Sequence, residues 1–247
     1  MSENIQNNIA EMMRSTRHER LSAPPQRKNE TPPTRCREIE FREKFDLPDP
    51  EVLSPGTTDI LEIMEERRSR RRYTDKSLTD EELSLMLYYT QGVQRELSGE
   101  KTMRTVPSAG ARHALETFLY LDRAENLPRG LYHYRPLEHS LALLEEGDFS
   151  AEMGKAALGQ EHVKNAAAVF IWAADSMRMA WRYSERAVRY IHLDAGHVCQ
   201  NLYLVAQEIE AGVCAIAAYD DDYINELLDL DGQKDFVVYM ASVGSLK

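Results

Sequence analysis

The chain has little cysteine, no excess of positive charge and no long apolar run. Its three cysteines are Cys36, Cys199 and Cys214. An odd number without C-x-x-C spacing offers neither a disulfide framework nor a zinc site. Cys199 and Cys214 fall in apolar runs and read as small core residues. The formal net charge of −11 speaks against nucleic acid, whose phosphates call for a basic surface. No apolar stretch approaches the length of a membrane span, and the opening Met-Ser-Glu-Asn-Ile lacks both a basic n-region and an apolar h-region. The expectation is a soluble, cytoplasmic protein with no nucleic-acid and no membrane partner. Neither G-x-G-x-x-G nor G-x-x-x-x-G-K-[ST] occurs, so no Rossmann or P-loop nucleotide site is expected. His192 and His197 diverge around a helix instead of sharing a face, and Asp194 does not repair that geometry, so no metal site is expected.

What is present in the 247 residues suits one substantial domain preceded by an arm. Residues 1–50 differ in texture from the rest. Ile5, Ile9, Met12 and Met13 have helical spacing in a polar segment, and Pro24-Pro25 and Thr31-Pro32-Pro33 then break regular structure. Such an arm buries too little to fold alone and is either mobile or laid across the body or a partner subunit. In residues 51–247, Thr58 to Glu66 reads as a helix with Ile60, Ile63 and Met64 on one face. Thr79 and Glu82 form a capping box ahead of Leu83, Met86 and Leu87, with Gly92 as terminator. Strands are expected at Leu115–Leu121, Leu131–Tyr134, Leu141–Leu144, Ala167–Ala173, Val213–Ala217 and Phe236–Val243. A long helix is expected over Glu185–Ala211 with Gly212 at C′, and a short one near Tyr223–Leu228. Helices and strands without regular β-α-β alternation indicate an α+β fold.

The densest chemistry is Arg67-Arg68-Ser69-Arg70-Arg71-Arg72-Tyr73, a basic patch in an acidic chain at a helix end. Guanidinium forks and a hydroxyl match a phosphate monoester. The alternative is counter-charge for Glu62, Glu65 and Glu66, or for the helix dipole. Pro107-Ser108-Ala109-Gly110 is a run of small residues through which backbone approaches a flat ring closely, or an ordinary turn.

Arg67-Arg68-Ser69-Arg70-Arg71 resembles the R-x-S-x-R/K signature with which nitroreductase-type flavoproteins hold the phosphate of FMN. The block Pro107–Glu116 resembles the proline-serine loop beside the flavin in the SagB/ThcOx branch, which includes azoline dehydrogenases of peptide maturation. Gly130–Tyr134, Trp181–Tyr190 and Asp194–His197 agree in order and spacing, and the resemblance spans about Phe45 to Gly244. It implies a nitroreductase-like fold, with a central mixed sheet flanked by helices in an intertwined homodimer. It also implies FMN at the subunit interface and NAD(P)H or an organic substrate as electron donor. On this resemblance Arg67, Ser69 and Arg71 hold the phosphate. Pro107, Ser108, Ala109, Gly110 and His113 lie beside the ring, and Ala215, Ile216, Ala217 and Ala218 pack on its other side; the alternatives are a satisfied structural histidine at His113 and a plain core strand end at Ala215–Ala218. Three departures stand out. Ala111 and His113 occupy places where many relatives have asparagine and glutamine, Ala217 replaces a glycine, and Arg182-Tyr183 replaces the Lys-Tyr pair of azoline dehydrogenases. Tyr183 can still exchange a proton, whereas Arg182 stays charged and can only stabilise an anion. Arg186 and Arg189 match family positions or serve as surface ion-pair partners. The implied function is an FMN-dependent oxidoreductase acting on a small-molecule substrate. The alternatives are a dehydrogenase subunit working with a peptide-maturation partner, and a flavin-binding protein with little turnover.

Overall fold

The computed structural model describes residues 3–53, 56, 58–97 and 101–246. Its centre is β7, Ala168–Asp175, a strand without polar alternation. Phe170, Trp172 and Ala174 face one layer, with α3 (Asp80–Gln91) and α7 (Ala187–Glu208). Val169, Ile171 and Ala173 face the other, with α4 (Ser150–Ala156), α5 (Glu161–Lys164) and α8 (Asp221–Leu227). Side chains of a strand alternate between faces, so a continuous apolar run is what two covered faces demand. The layer architecture therefore follows from the composition of β7.

Around it lie β1 (Glu43–Asp46), β4 (Leu115–Leu121), β5 (Gly130–Arg135), β6 (Ser140–Glu146), β8 (Ala211–Ile216) and β9 (Asp235–Ser245), in the order β1-β6-β5-β4-β7-β9-β8. A separate hairpin pairs β2 (Val93–Leu97) with β3 (Lys101–Arg104). The expected α+β fold is present, with one refinement. Among the described residues every named strand pair is antiparallel, and parallel contact is confined to the bridges Ser69–Val213 and Leu78–Ala124.

Local signals act as expected at α3, where Thr79 Oγ1 accepts from Glu82 N (3.1 Å) and Glu82 Oε2 accepts from Thr79 N (2.9 Å). Asp175 and Asp220 cap α6 (Ser176–Tyr183) and α8 in the same way, each accepting from a backbone N–H three residues on. In α2, Ile60–Glu66, only Ile63 is buried, and Ile60 and Met64 are exposed. Gly212 is not the terminator of α7. That helix ends at Glu208, Glu210 takes the left-handed turn (φ 57°), and Gly212 lies inside β8. A Cβ there would meet Arg70 Cβ at 2.8 Å, so glycine lets the arginine run lie against the strand.

The N-terminal segment is tied to the body. β1 pairs with β6, and α1 (Glu3–Ser15) leads into a chain held by arginines of the body. Arg189 donates to Thr16 Oγ1 (2.7 Å) and Met13 O (2.6 Å), Arg186 donates to Thr16 O (2.9 Å), and Trp181 Nε1 donates to Glu30 O (3.0 Å). Arg186 and Arg189 thus bind backbone carbonyls of the arm instead of carboxylates. Ile5, Ile9, Met12 and Met13 of α1 remain exposed.

Candidate functional site

The arginine run leaves α2 and crosses the edge of the sheet. Arg70 N donates to Val213 O (2.8 Å), which fixes the run against β8. Arg68 turns back and donates to Glu65 O (2.5 Å) and Arg67 O (2.8 Å), satisfying carbonyls that the helix end leaves open. Among the described residues no carboxylate lies within 4.0 Å of Arg67, Arg68, Arg70, Arg71 or Arg72. Counter-charge for Glu62, Glu65 and Glu66 therefore has no geometric support among the described residues, whereas Arg68 does serve the helix end.

Tyr203 of α7 organises this patch. Its ring lies under the Arg67 guanidinium (5.2 Å to the centroid), and its hydroxyl accepts from Ala215 N (2.8 Å) and meets Ser69 Oγ at 3.0 Å. Either hydroxyl can donate in the Ser69–Tyr203 hydrogen bond, and when Tyr203 donates the serine proton is available to a ligand. Arg71 reaches the Cys214 thiol, whose pKa burial raises and Arg71 partly lowers. Arg67, Ser69, Arg71, Ala215 and Ile216 are thus brought together at one edge. Ala217 and Ala218 follow, exposed, just past the end of β8. The donor set of two guanidiniums without a carboxylate partner among the described residues and a serine hydroxyl fits a phosphate monoester.

The proline-serine loop belongs to a second cluster. Ser108 Oγ donates to Asp194 Oδ2 (2.6 Å), Ala109 N donates to Asp194 Oδ1 (3.2 Å), and His113 N donates to Ser108 Oγ (2.9 Å). Burial raises the Asp194 pKa, and these hydrogen bonds partly offset that. Gly110 sits at φ 59°, and a Cβ there would lie 2.5 Å from the Tyr183 hydroxyl and 2.9 Å from Arg182 Nε. Glycine is required both by the conformation and by the close approach of the Arg182-Tyr183 pair. Arg112 stacks over Trp181 (4.7 Å) and donates to Arg178 O (3.0 Å), joining the loop to α6.

His113 stands apart from that surface. It is buried and its pKa is pushed down to about 3, by burial first and by Arg104 second, so it is neutral at any working pH. Behind it lies a network that sequence reasoning missed. Glu116 accepts from Arg178 (2.7 Å) and from Arg37 N (2.9 Å), and its other oxygen meets His133 Nε2 at 2.9 Å. Arg178 also donates to His113 O (3.0 Å), which ties the end of the proline-serine loop to the core. Burial alone would raise the Glu116 pKa, but Arg178 and His133 hold it well below the usual carboxylate range. A charged residue inside the apolar strand Leu115–Leu121 was the available signal. Tyr203 gave no such signal, because its partners lie far from it in sequence.

Two clusters therefore result, one on Tyr203 and one on Asp194 of the same helix. These residues are about two and a half turns apart at roughly 3.6 residues per turn, which places them on opposite sides of α7. Among the described residues no group of three metal-ligating side chains converges, and His192 Nδ1 donates to Val188 O (2.7 Å). No helix among them is long and apolar enough to cross a membrane.

Comparison with known proteins agrees with this architecture. A Methanocaldococcus jannaschii protein named as a candidate nitroreductase, MJ1384, is 33% identical over 201 residues, covering 81% of this chain and 96% of its own. The trifolitoxin operon protein TfxC of Rhizobium leguminosarum bv. trifolii is 26% identical over 75% of this chain, which spans only 55% of that relative. Among solved structures, a candidate nitroreductase of Anabaena variabilis superposes with a TM-score of 0.66 at 31% identity, over 76% of this chain and 38% of its own. The E. coli microcin synthetase complex McbBCD, with truncated pro-MccB17 bound, gives 0.62 at 19% identity over 100% of this chain and 95% of that one. A candidate nitroreductase of Desulfovibrio desulfuricans in complex with FMN gives 0.52 at 19% identity over 76% and 87%. Residues 64–245, from the end of α2 to the end of β9, match the nitroreductase family as a whole, and the chain belongs to that family.

Proposed function

We propose that the protein is an FMN-dependent oxidoreductase that works as a homodimer in the cytoplasm on a small organic substrate. The observation that carries this reading is the set of half-buried Arg67 with exposed Ser69 and Arg71, fixed on β8 and Tyr203 and without a carboxylate partner among the described residues. In this reading Arg67, Ser69 and Arg71 hold the FMN phosphate. The small residues Pro107 to Gly110 and Ala215 to Ala218 receive the flat ring, where backbone N–H groups can meet its carbonyls. FMN, when bound, supplies the hydride chemistry, with NAD(P)H or the substrate as electron source. Tyr183 holds or takes the proton at its hydroxyl, and Arg182 stabilises negative charge beside it.

The homodimer is supported by the opposed placement of the two clusters on α7. On opposite sides of one helix the clusters face different ways, and two copies would supply one cluster each to a shared ligand. Exposed apolar side chains on α2 and α7, among them Ile60, Leu61, Met64, Val188 and Leu193, offer material for such an interface. A second reading, a dehydrogenase subunit that works with a peptide-maturation partner, draws on the likeness to TfxC and on the exposed apolar face of α1.

The test is FMN retention in Arg67→Ala/Arg71→Ala. Each lost charge-assisted hydrogen bond costs about 1.5 to 3 kcal/mol, so affinity should fall by orders of magnitude while far-UV circular dichroism is unchanged. An FMN affinity equal to wild type would sink the phosphate assignment.

A further inference from the structure

The docked arm and the end of α6 flank a cleft of about 560 Å³ that Tyr183 helps to line. Leu21, Pro24 and Arg27 of the arm form one wall, and Arg182, Tyr183 and Arg186 form the other. We infer that this cleft takes an organic anion, a carboxylate or a phosphate monoester, as the charged end of the substrate, and that the arm is therefore part of the substrate site. The inference rests on the reading of Tyr183 as part of the reacting site.

Charge carries the argument. The lining contains three arginines and no carboxylate, in a chain whose formal net charge is −11. Among the described residues none of the three lies within 4.0 Å of a carboxylate. The adjacent acid, Glu185, is already engaged, accepting from Ser22 Oγ (2.5 Å) and Ser22 N (3.0 Å). Arg186 spends one nitrogen on Thr16 O (2.9 Å) and sets Nε toward the Tyr190 hydroxyl (3.3 Å), so it serves first to position the arm. The Arg27 side chain makes no hydrogen bond or ion pair to any described residue, its backbone N donating to Pro24 O (2.9 Å), and the Arg182 side chain makes none beyond its stacking over Tyr183 (5.7 Å). Arg182 and Arg186 are half-buried and Arg27 is exposed; like charges facing one cleft repel unless an anion joins them, and a concave basic wall focuses the field that draws one in. The guanidinium fork fits carboxylate and phosphate alike.

The arm closes the cleft through contacts that are themselves specific. Ser184 Oγ donates to Ser22 O (2.8 Å), and Ser22 is held by Glu185 on the next residue of the body. The turn at Ser184 takes φ 49°, which directs this hydroxyl at the arm. The wall carrying Arg27 is thus built to stand opposite Arg182.

Binding of three matched probes to the full-length protein, with FMN in excess to fill the flavin's own phosphate site, tests this. The probes are 4-nitrobenzoate, 4-nitrophenyl phosphate and the neutral methyl 4-nitrobenzoate, measured by titration calorimetry. At least one anion should bind tenfold or more tightly than the ester, and the tighter anion names the class. Arg27→Gln and Arg182→Gln should each weaken that anion by about tenfold to a hundredfold, an effect that shrinks as salt rises. Arg27 is exposed on the arm, so its substitution reads binding and not folding. Equal affinity for anion and ester, or an anion affinity untouched by Arg27→Gln, overturns the inference. So does anion binding that follows Arg67→Ala/Arg71→Ala instead, because the anion then occupies the other patch. FMN content of the same preparations separates this from the function reading. Anion selectivity without FMN binding removes the oxidoreductase proposal alone, and FMN binding without anion selectivity removes this inference alone.

Discussion

Glu116 joins the core, the arm and the proline-serine loop, so its removal is a test of how the site is supported. Its carboxylate accepts from buried Arg178 (2.7 Å) and from Arg37 N of the arm (2.9 Å), and faces buried His133 (2.9 Å). Breaking a buried pair by deleting one partner costs about 3 to 5 kcal/mol, because the other charge is left uncompensated. Asp175 remains 3.1 Å from Arg178 and moderates that loss. Glu116→Gln should therefore fall near the low end, about 3 kcal/mol, and Glu116→Ala, which adds a cavity, near about 5 kcal/mol. Against a total of about 5 to 15 kcal/mol this is a large fraction. Urea denaturation reads it directly: with a slope of about 2 to 3 kcal/mol/M, Glu116→Gln should lower the midpoint by roughly 1 to 1.5 M. Pairing it with Arg178→Met should cost less than the two single changes added together. The pH dependence has a definite sign. The folded pKa lies below the ordinary 4.5, so the stabilisation is fully present above that value and is lost as pH falls beneath it. Glu116→Gln should accordingly show a flatter acid limb than wild type below pH 4.5. A loss under about 1 kcal/mol, with additive single changes and an unaltered acid limb, would refute the reasoning.

Two further predictions follow from the proposed site. Sedimentation should show a stable dimer burying well above roughly 2,000 Å², as obligate interfaces do, and a monomer with full flavin occupancy would contradict the shared site. Tyr183→Phe should lower turnover of a demonstrated substrate by roughly 10²–10⁴-fold while FMN content and assembly stay constant, and wild-type turnover would remove Tyr183 from the reaction.

The sequence disclosed the elements whose cause is local. The capping box at Thr79, the apolar run of β7 and the long stripe of α7 all appear where periodicity puts them. What it concealed depends on approach between distant segments. Gly212 has the residue type of a helix terminator, yet its reason is the Arg70 Cβ that lies against it. The pair Arg186 and Arg189 looks like surface charge, yet binds carbonyls of a segment more than a hundred residues earlier. Residues 43–46 have no strong strand pattern of their own, and β6 supplies the pairing that makes them a strand. The arginine run was legible as a motif, but its lack of carboxylate partners among the described residues is a property of the folded surface.

These non-local contacts share one support. Along its length α7 and its N-cap residue offer Arg186 and Arg189 to the arm, Asp194 to the proline-serine loop and Tyr203 to the arginine run. The apolar stripe between them, including Ile191, Val198 and Leu202, is buried against the sheet at about 1.5 to 3 kcal/mol for each large side chain. Packing that fixes the helix therefore fixes the separation of the two polar clusters as well. It follows that small shifts of α7 would misalign both clusters together, whereas a change in either loop alone would disturb one. The polar site is placed by the apolar core, and the half-turn between Asp194 and Tyr203 is why a second copy enters the argument at all.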